Sequence, residues 1–236
     1  MTIPQQLSLG VSLNDDATFS NFYAPDSTAN AQVLNAVRQQ IDTANEPFLY
    51  LWGASGCGLT HLLQAACHQA EFLGKAFQYF PLRELLGYAP GELFAGLEEL
   101  ELVCLDGLDA IVNRPEWELA LFNLYNRLRD SDKLLLVSAT VGPRELAVGL
   151  PDLASRLQWG ATFHVQSLDD AEKQQALQFR ARARGLELSE DVASFIIQRL
   201  PRDMNELFLQ LHRLDHASLA EQRKLTIPFV KKTLGL

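Results

Sequence analysis

A glycine-rich loop lies between a short apolar run and a segment with helical spacing. The run is Phe48–Trp52, the loop occupies residues 53–60, and residues 60–73 carry apolar side chains at helical intervals. The loop reads Gly-Ala-Ser-Gly-Cys-Gly-Leu-Thr, which nearly matches the phosphate-loop pattern G-x-x-x-x-G-K-[ST]. Glycines let backbone N–H groups turn around phosphate oxygens, and a helix start favours an anion. The residues predicted to bind a nucleotide here are Gly53, Ala54, Ser55, Gly56, Cys57, Gly58, Leu59 and Thr60.

One position of this loop departs from the pattern. Leu59 stands where a lysine usually reaches the β- and γ-phosphates, so a positive charge is missing beside the most negative part of a triphosphate. Thr60 keeps the hydroxyl that binds phosphate or magnesium. We therefore expect a bound nucleoside diphosphate, with ADP as the first candidate, and little or no ATP hydrolysis by the chain alone.

An acidic residue ends a second apolar run. Residues 102–105 are all apolar and are followed by Asp106, which predicts a buried strand that presents a carboxylate at its carboxyl end. Ligands bind at that edge of open α/β sheets, so Asp106 and Thr60 are the expected ligands if magnesium is present. A second acid would orient the attacking water, but Gly107 stands at that position and Asp109 is the nearest substitute.

The pattern of the chain changes near residue 168. Strand-like and helix-like segments alternate before that point, which is typical of a parallel α/β sheet, and only helical patterns follow it. The predicted strands are Phe48–Trp52 and residues 76–80, 102–105, 134–137 and 162–165. We predict a flexible tail over residues 1–18, a nucleotide-binding α/β subdomain over 19–167 and a small helical lid subdomain over 168–236.

Composition excludes several classes of protein. The net charge is −9: residues 1–170 hold 9 Lys and Arg against 21 Asp and Glu, whereas residues 171–236 hold 11 against 8. An acidic chain lacks the electrostatic means to bind duplex DNA stably by itself. The absence of a long apolar run or a signal peptide predicts a cytoplasmic location and no membrane partner. Three scattered cysteines indicate reduced thiols, and His212 and His216 lack a third metal ligand.

The order of these motifs resembles the AAA+ family, over about residues 17–236. A phosphate loop, an acid-ending strand, a polar strand end and an arginine before a helical lid follow one another as in that family. Residues 18–23 are similar to the segment that frames adenine in relatives of the replication initiator DnaA, which implicates Phe22 and Tyr23. The segment Ser138-Ala-Thr140 looks like the first sensor, and Pro143-Arg-Glu-Leu146 follows it as in those relatives.

Two later segments carry arginines with roles implied by the same resemblance. Residues 153–160, which read Leu-Ala-Ser-Arg-Leu-Gln-Trp-Gly, resemble the segment with the arginine finger, and Arg156 is the match. Residues 202–207 resemble the start of the second-sensor helix. Alignment puts Asn205 at the sensor position and Arg202 one turn earlier. Arg202 is a predicted phosphate ligand, and the choice between the two residues stays open.

The resemblance implies a regulator of replication initiation. The resemblance is to the short regulatory relatives of DnaA, so we expect the protein to lack the DNA-binding and N-terminal oligomerisation domains of that initiator. Its tail resembles the peptide by which bacterial proteins bind the polymerase sliding clamp: Gln6, Leu7, Ser8, Leu9, Gly10 and Val11. The implied partners are the sliding clamp and DnaA, and the implied activity is stimulation of ATP hydrolysis by DnaA, with Arg156 donated in trans. A homodimer or larger oligomer is left open.

Two enzymatic alternatives remain. An autonomous AAA+ ATPase of the helicase-loader type needs the phosphate charge and water-orienting acid that Leu59 and Gly107 replace. A small-molecule kinase with a phosphate loop needs an extra basic substrate lid, and the all-helical segment after Asp169 offers none. Both departures favour the regulatory interpretation.

Overall fold

The computed structural model of the chain describes residues 13–236. The chain divides into two compact units, the first ending at Gln166 and the second spanning Ser167–Leu236. The boundary thus lies one residue before the one expected from the sequence. Each unit is described by itself below.

The first unit contains a parallel sheet, which has five strands within the described residues. Their order across the sheet is β2-β3-β4-β1-β5, and each neighbouring pair is parallel. The strands are β1 (Phe48–Trp52), β2 (Phe77–Pro81), β3 (Leu102–Asp106), β4 (Leu134–Ala139) and β5 (Ala161–His164). The predicted α/β fold with a five-stranded parallel sheet is confirmed.

Helices cover both faces of this sheet because its central strands are apolar on both sides. In β1, Phe48 and Tyr50 belong to one buried cluster with side chains of the helices at residues 115–130 and 151–157, whereas Leu49 and Leu51 belong to another with those of the helices at 29–43 and 59–72. Such continuous apolar runs are typical of parallel strands buried on both faces. The helices of this unit are α1 (Ala29–Thr43), α2 (Leu59–Phe72), α3 (Leu82–Leu85), α4 (Pro90–Leu93), α5 (Pro115–Asp130) and α6 (Pro151–Leu157).

The segment before α1 corrects one prediction. Residues 13–18 were expected to belong to the flexible tail, but Ala17 is buried and Leu13 packs against the core beside α2. The Asn14 amide N–H donates to Gln64 Oε1 at 3.1 Å, and its carbonyl oxygen lies 3.1 Å from His68 Nε2. Since Gln64 and His68 lie one turn apart on α2, they hold this segment along that helix. A 3-10 turn at Phe19–Asn21 follows.

The second unit is entirely helical, as predicted. Its elements are α7 (Asp170–Ala183), α8 (Glu190–Arg199), α9 (Met204–Glu221) and α10 (Ile227–Leu234). A capping box begins α7: Asp169 accepts a hydrogen bond from the Glu172 amide, and Glu172 accepts one from the Asp169 amide. Ser189 occupies the N-cap of α8 without a side-chain hydrogen bond to the helix. Within residues 13–236, no helix has the length and apolar character needed to cross a bilayer.

Candidate functional site

The phosphate loop connects β1 to α2, and its glycines meet steric requirements. Gly58 is the N-cap of α2 with φ 107°, a conformation that favours glycine. A Cβ on Gly58 would lie 2.7 Å from the Phe22 ring, and a Cβ on Gly53 would lie 2.4 Å from the Val165 carbonyl oxygen. The loop therefore packs too closely for side chains at these positions. Its free amides at the start of α2 form the environment that binds a phosphate.

Phe22 lies against this loop, and its predicted role in framing the nucleotide stays a prediction. Its ring centre is 5.6 Å from that of His61 on the first turn of α2, and His61 Nε2 lies 2.8 Å from the Thr18 carbonyl oxygen. Phe22 and Tyr23 are both half-buried. Residues 18–22 thus line the beginning of α2, close to the loop.

Leu59 is the first residue of α2 and is partly buried against the adjoining core. Its side chain contributes to packing and carries no charge toward the loop. The missing lysine is therefore replaced by an apolar contact.

Asp106 accepts hydrogen bonds from three hydroxyl groups. Thr60 Oγ1 and the Tyr79 hydroxyl each donate to Asp106 Oδ2 at 2.7 Å, and Ser138 Oγ donates to Oδ1 at 2.6 Å. These residues come from α2, β2 and β4, so the carboxylate joins the loop helix to three adjacent strands. Burial raises the pKa of Tyr79, and the negative charge of Asp106 raises it further, so this hydroxyl remains a donor. The structure thus brings Thr60 and Asp106 together as predicted.

Tyr79 was not among the predicted site residues. The register of the sheet pairs Pro81 with Asp106 and Tyr79 with Cys104, so the tyrosine lies two residues before the carboxyl edge. Only its long side chain brings the hydroxyl to Asp106. A tyrosine in the strand beside an acid-ending strand is the signal that was available.

Asp109 does not replace the missing second acid. Its two carboxylate oxygens accept hydrogen bonds from the Thr140 amide at 3.1 and 2.9 Å, and Oδ1 also accepts from Thr140 Oγ1. The carboxylate is therefore committed to the end of β4. Gly107 has φ 82°, a left-handed conformation in which a side chain is strained.

The donor set fits a nucleoside diphosphate and magnesium. An exposed hydroxyl on Thr60 lies beside the carboxylate of Asp106, and oxygen atoms of this kind are the ligands magnesium prefers. Magnesium in nucleotide sites usually has one or two carboxylate ligands and completes its shell with water and phosphate oxygens. Among the described residues there is no group of three or more His, Cys, Asp or Glu side chains suited to a metal ion. Thr60 and Asp106 would supply protein ligands to a magnesium ion whose remaining ligands are water and phosphate oxygens.

Arg156 lies on α6, near the amino ends of the parallel strands, whereas the phosphate loop lies at their carboxyl ends. Gly160 follows it, and a Cβ on Gly160 would lie 2.5 Å from the carbonyl oxygen of Phe48, the first residue of β1. The Tyr125 ring packs edge-on against Phe48 with ring centres 5.3 Å apart. Burial raises the pKa of Tyr125, and the positive charge of Arg156 acts in the opposite direction. Arg156 is therefore near the amino end of β1, whereas the phosphate loop follows its carboxyl end.

Glu118 is a buried residue that holds the start of α6. Its Oε2 accepts from the Leu150 amide at 2.8 Å, and its Oε1 accepts from the amides of Gly149 and Asn113 at 3.1 and 2.8 Å. This role of Glu118 was not predicted, because in two of the three bonds the acid and its partner are 31 or 32 positions apart in the sequence. It fixes the N-terminus of the helix that carries Arg156.

The remaining predicted residues lie in the second unit or outside the description. Arg202 Nη1 pairs with Asp170 Oδ2 at 3.1 Å, and Asn205 is an exposed residue in the first turn of α9. The Nε2 atoms of His212 and His216 lie 3.0 Å apart. The predicted clamp-binding peptide, residues 6–11, lies outside the described residues.

Comparison with known proteins agrees with this arrangement. Residues 170–234 match the family model described as Hda, lid domain. Domain III of the replication initiation protein DnaA from Thermotoga maritima superposes with a TM-score of 0.78 at 19% identity, over 95% of this chain and 98% of that one. AMPPCP-bound DnaA from Aquifex aeolicus gives 0.69 at 20% identity, over 85% and 65%. The RuvB Holliday junction branch migration motor of Thermotoga maritima gives 0.65 at 17% identity, over 92% and 73%.

At these identities the likeness to DnaA and RuvB concerns the fold. It is the AAA+ fold expected from the order of the motifs. The match of the second unit is more specific, because it covers nearly all of α7–α10. The matching lid and the shared fold support an Hda-like, DnaA-related protein with the AAA+ fold.

Proposed function

We propose that this DnaA-related regulator binds the polymerase sliding clamp and stimulates ATP hydrolysis by DnaA. Arg156 would complete the active site of DnaA in trans, which would convert DnaA to its ADP form and prevent re-initiation. The observation that carries the proposal is the position of Arg156 at the sheet edge opposite the phosphate loop of its own chain.

The length of β1 supports action in trans. Five residues of strand span about 16 Å at ~3.3 Å per residue, which is longer than an arginine side chain. Arg156 therefore does not reach phosphates held at residues 53–60 of the same chain. The guanidinium would contact the nucleotide of a neighbouring molecule that binds near the amino ends of these strands.

The chemistry of arginine suits that role. Its guanidinium stays charged and offers N–H donors in one plane, so that it binds two phosphate oxygens at once. In phosphoryl transfer, negative charge on the transferred group is stabilised as water attacks and the bond to the leaving phosphate breaks. An arginine supplied in trans accelerates this step by about 10³–10⁵-fold in GTPases.

The properties of three residues support the prediction that the chain itself hydrolyses little or no ATP. Leu59 supplies no charge to a γ-phosphate, Gly107 supplies no carboxylate, and the carboxylate of Asp109 is bonded to Thr140. The loop amides, Thr60 and Asp106 are still suited to a diphosphate. We propose that bound ADP has a structural role and that the chain is not itself an enzyme.

Substitution of Arg156 tests the proposal. The assay contains sliding clamp loaded on DNA, DnaA with radiolabelled ATP, and either the wild-type protein or Arg156→Ala. We expect the variant to bind clamp and ADP normally and to lose stimulation of hydrolysis. Arg83→Ala, which removes an exposed arginine from α3, is the matched control.

Full stimulation by Arg156→Ala would contradict the trans mechanism. A steady-state ATPase rate of roughly 1 per second or more for the isolated protein would instead favour an autonomous ATPase.

A further inference from the structure

Trp159 is a large exposed aromatic residue with one face covered. It is 65% exposed, and the guanidinium carbon of Arg156 lies 4.3 Å from the centre of its ring. The Trp159 amide also donates to the Arg156 carbonyl oxygen at 3.1 Å. The two side chains therefore form a cation–π pair across the end of α6.

The backbone beneath this pair is firmly held. Leu157 is buried at 1% exposure on one side of Trp159. Gly160, on the other side, packs so closely that an added Cβ would lie 2.2 Å from the Phe48 ring. The indole is thus attached to a fixed point at the start of β5.

Stacking leaves the hydrogen-bonding edge of the guanidinium available. None of the ion pairs among residues 13–236 involves Arg156, so its charge is not neutralised by a carboxylate. A ring that covers the face of a guanidinium does not use the N–H donors, which lie in the guanidinium plane. A carboxylate partner would occupy those donors.

We propose that Trp159 is a positioning residue that holds Arg156 in a conformation ready to bind phosphate. The inference rests on the proposed function of Arg156. It adds that the indole reduces the number of conformations the arginine must abandon when it meets a nucleotide. Because the arginine is proposed to stabilise the transition state, preorganisation of this kind should raise the rate at saturation more than it changes the affinity between the proteins.

Three substitutions distinguish the effect of the aromatic ring of Trp159 from the effect of its side-chain volume. Trp159→Phe keeps an aromatic face, Trp159→Leu keeps an apolar side chain without one, and Trp159→Ala removes both. Stimulation of DnaA hydrolysis is measured over a range of protein concentrations, with clamp on DNA as before. We expect the Leu and Ala variants to lower the maximum rate about two- to fivefold, the range of an exposed cation–π contact, at an unchanged half-maximal concentration. The Phe variant should stay near wild type.

Two results of this assay would overturn the inference. A Leu variant equal to wild type would show that the ring has no role. An unchanged maximum with a raised half-maximal concentration would make Trp159 an ordinary interface contact. Arg156→Ala, run in parallel, separates these failures from failure of the proposed function, because full stimulation by that variant would remove the role of the arginine itself.

Fluorescence gives a second measurement that does not depend on activity. Arg156→Ala should expose the covered indole face and increase quenching of tryptophan emission by acrylamide. In the Trp159→Phe background, where Trp52 and Trp117 remain, the same arginine substitution should have no effect. Equal quenching of the wild type and Arg156→Ala would contradict the stacked arrangement. Thermal unfolding of each variant verifies that the fold is retained.

Discussion

Ser138 Oγ lies 2.6 Å from Asp106 Oδ1 and joins the end of β4 to the end of β3. The same oxygen accepts a hydrogen bond from the Gly107 amide at 2.9 Å. Ser138 is almost fully buried, so water does not readily replace it. The residue that resembles the first sensor therefore fixes both the carboxylate and the turn that follows it.

Removal of this hydroxyl should destabilise the protein. Ser138→Ala loses a hydrogen bond to a carboxylate and leaves a backbone amide without its acceptor, so we expect the free energy of unfolding to fall by about 1–3 kcal/mol. Urea denaturation monitored by circular dichroism measures the change. Ser155→Ala, at an exposed position on α6, is the control. Equal stabilities of the two variants would show that the Ser138 contacts are dispensable.

Restoration of the missing charge should change nucleotide preference. Leu59→Lys places an ammonium group at the start of α2, where it would bind the terminal phosphates. We expect the affinity for ATP relative to ADP to rise about tenfold or more, as for a hydrogen bond to a charged group. Calorimetry with both nucleotides measures this ratio, and Leu59→Met is the neutral control. Tighter binding of ATP than ADP by the wild type would contradict our account of the loop.

Cys57 should report on occupancy of the loop. Burial raises the pKa of its thiol, while hydrogen bonds from the amides of Leu59 and Cys57 partly oppose this effect. Less thiolate is then present at pH 8 than in a free cysteine, so alkylation by iodoacetamide should be slower and should keep accelerating above the ordinary pKa. We expect ADP to slow it further. Cys67 and Cys104 are fully buried and should stay unlabelled in the folded protein.

Mass spectrometry of digested samples locates the label. Cys57→Ser should abolish the labelling of the folded protein. Faster reaction of Cys67 or Cys104 would contradict this burial, and unchanged Cys57 labelling at saturating ADP would contradict binding at the loop.

Residues 6–11 should affect partner binding and leave the fold and nucleotide binding unchanged. Leu7→Ala combined with Leu9→Ala is expected to abolish binding to the sliding clamp, because two leucines would fill an apolar pocket on it. ADP affinity and thermal unfolding should be unchanged. Surface plasmon resonance with immobilised clamp measures binding, and Ser8→Ala tests the same peptide without loss of an apolar side chain. Undiminished clamp binding by the double variant would mean that the resemblance of the hexapeptide is accidental.

The strands were predictable to within a few residues because they are mostly apolar, and two of their ends are marked by Gly53 after β1 and Asp106 in β3. The bounds of α1 were not assigned, although Val33, Val37 and Ile41 recur every four residues and are all buried. The short helix α6 was also not assigned. Its seven residues span only about two turns, which is too short for a periodic pattern to stand out.

The partners of individual side chains were less accessible to prediction. Thr60 and Asp106 were paired correctly because the motif itself implies their meeting. Asp109 instead bonds to Thr140, which is 31 residues away and lies on a neighbouring strand end. Such pairings depend on strand order and on side-chain rotamers, and neither follows from spacing along the chain.

The positions of Gly160 and Gly53 at opposite ends of β1 give the first unit a direction. A contact in which Arg156 of one molecule meets the phosphate loop of another joins unlike surfaces, so it is head-to-tail and heterologous. Each molecule in such a contact uses either its Arg156 surface or its phosphate-loop surface and leaves the other surface available. An Hda-like chain with its arginine against DnaA would therefore still present its own nucleotide edge to a further neighbour.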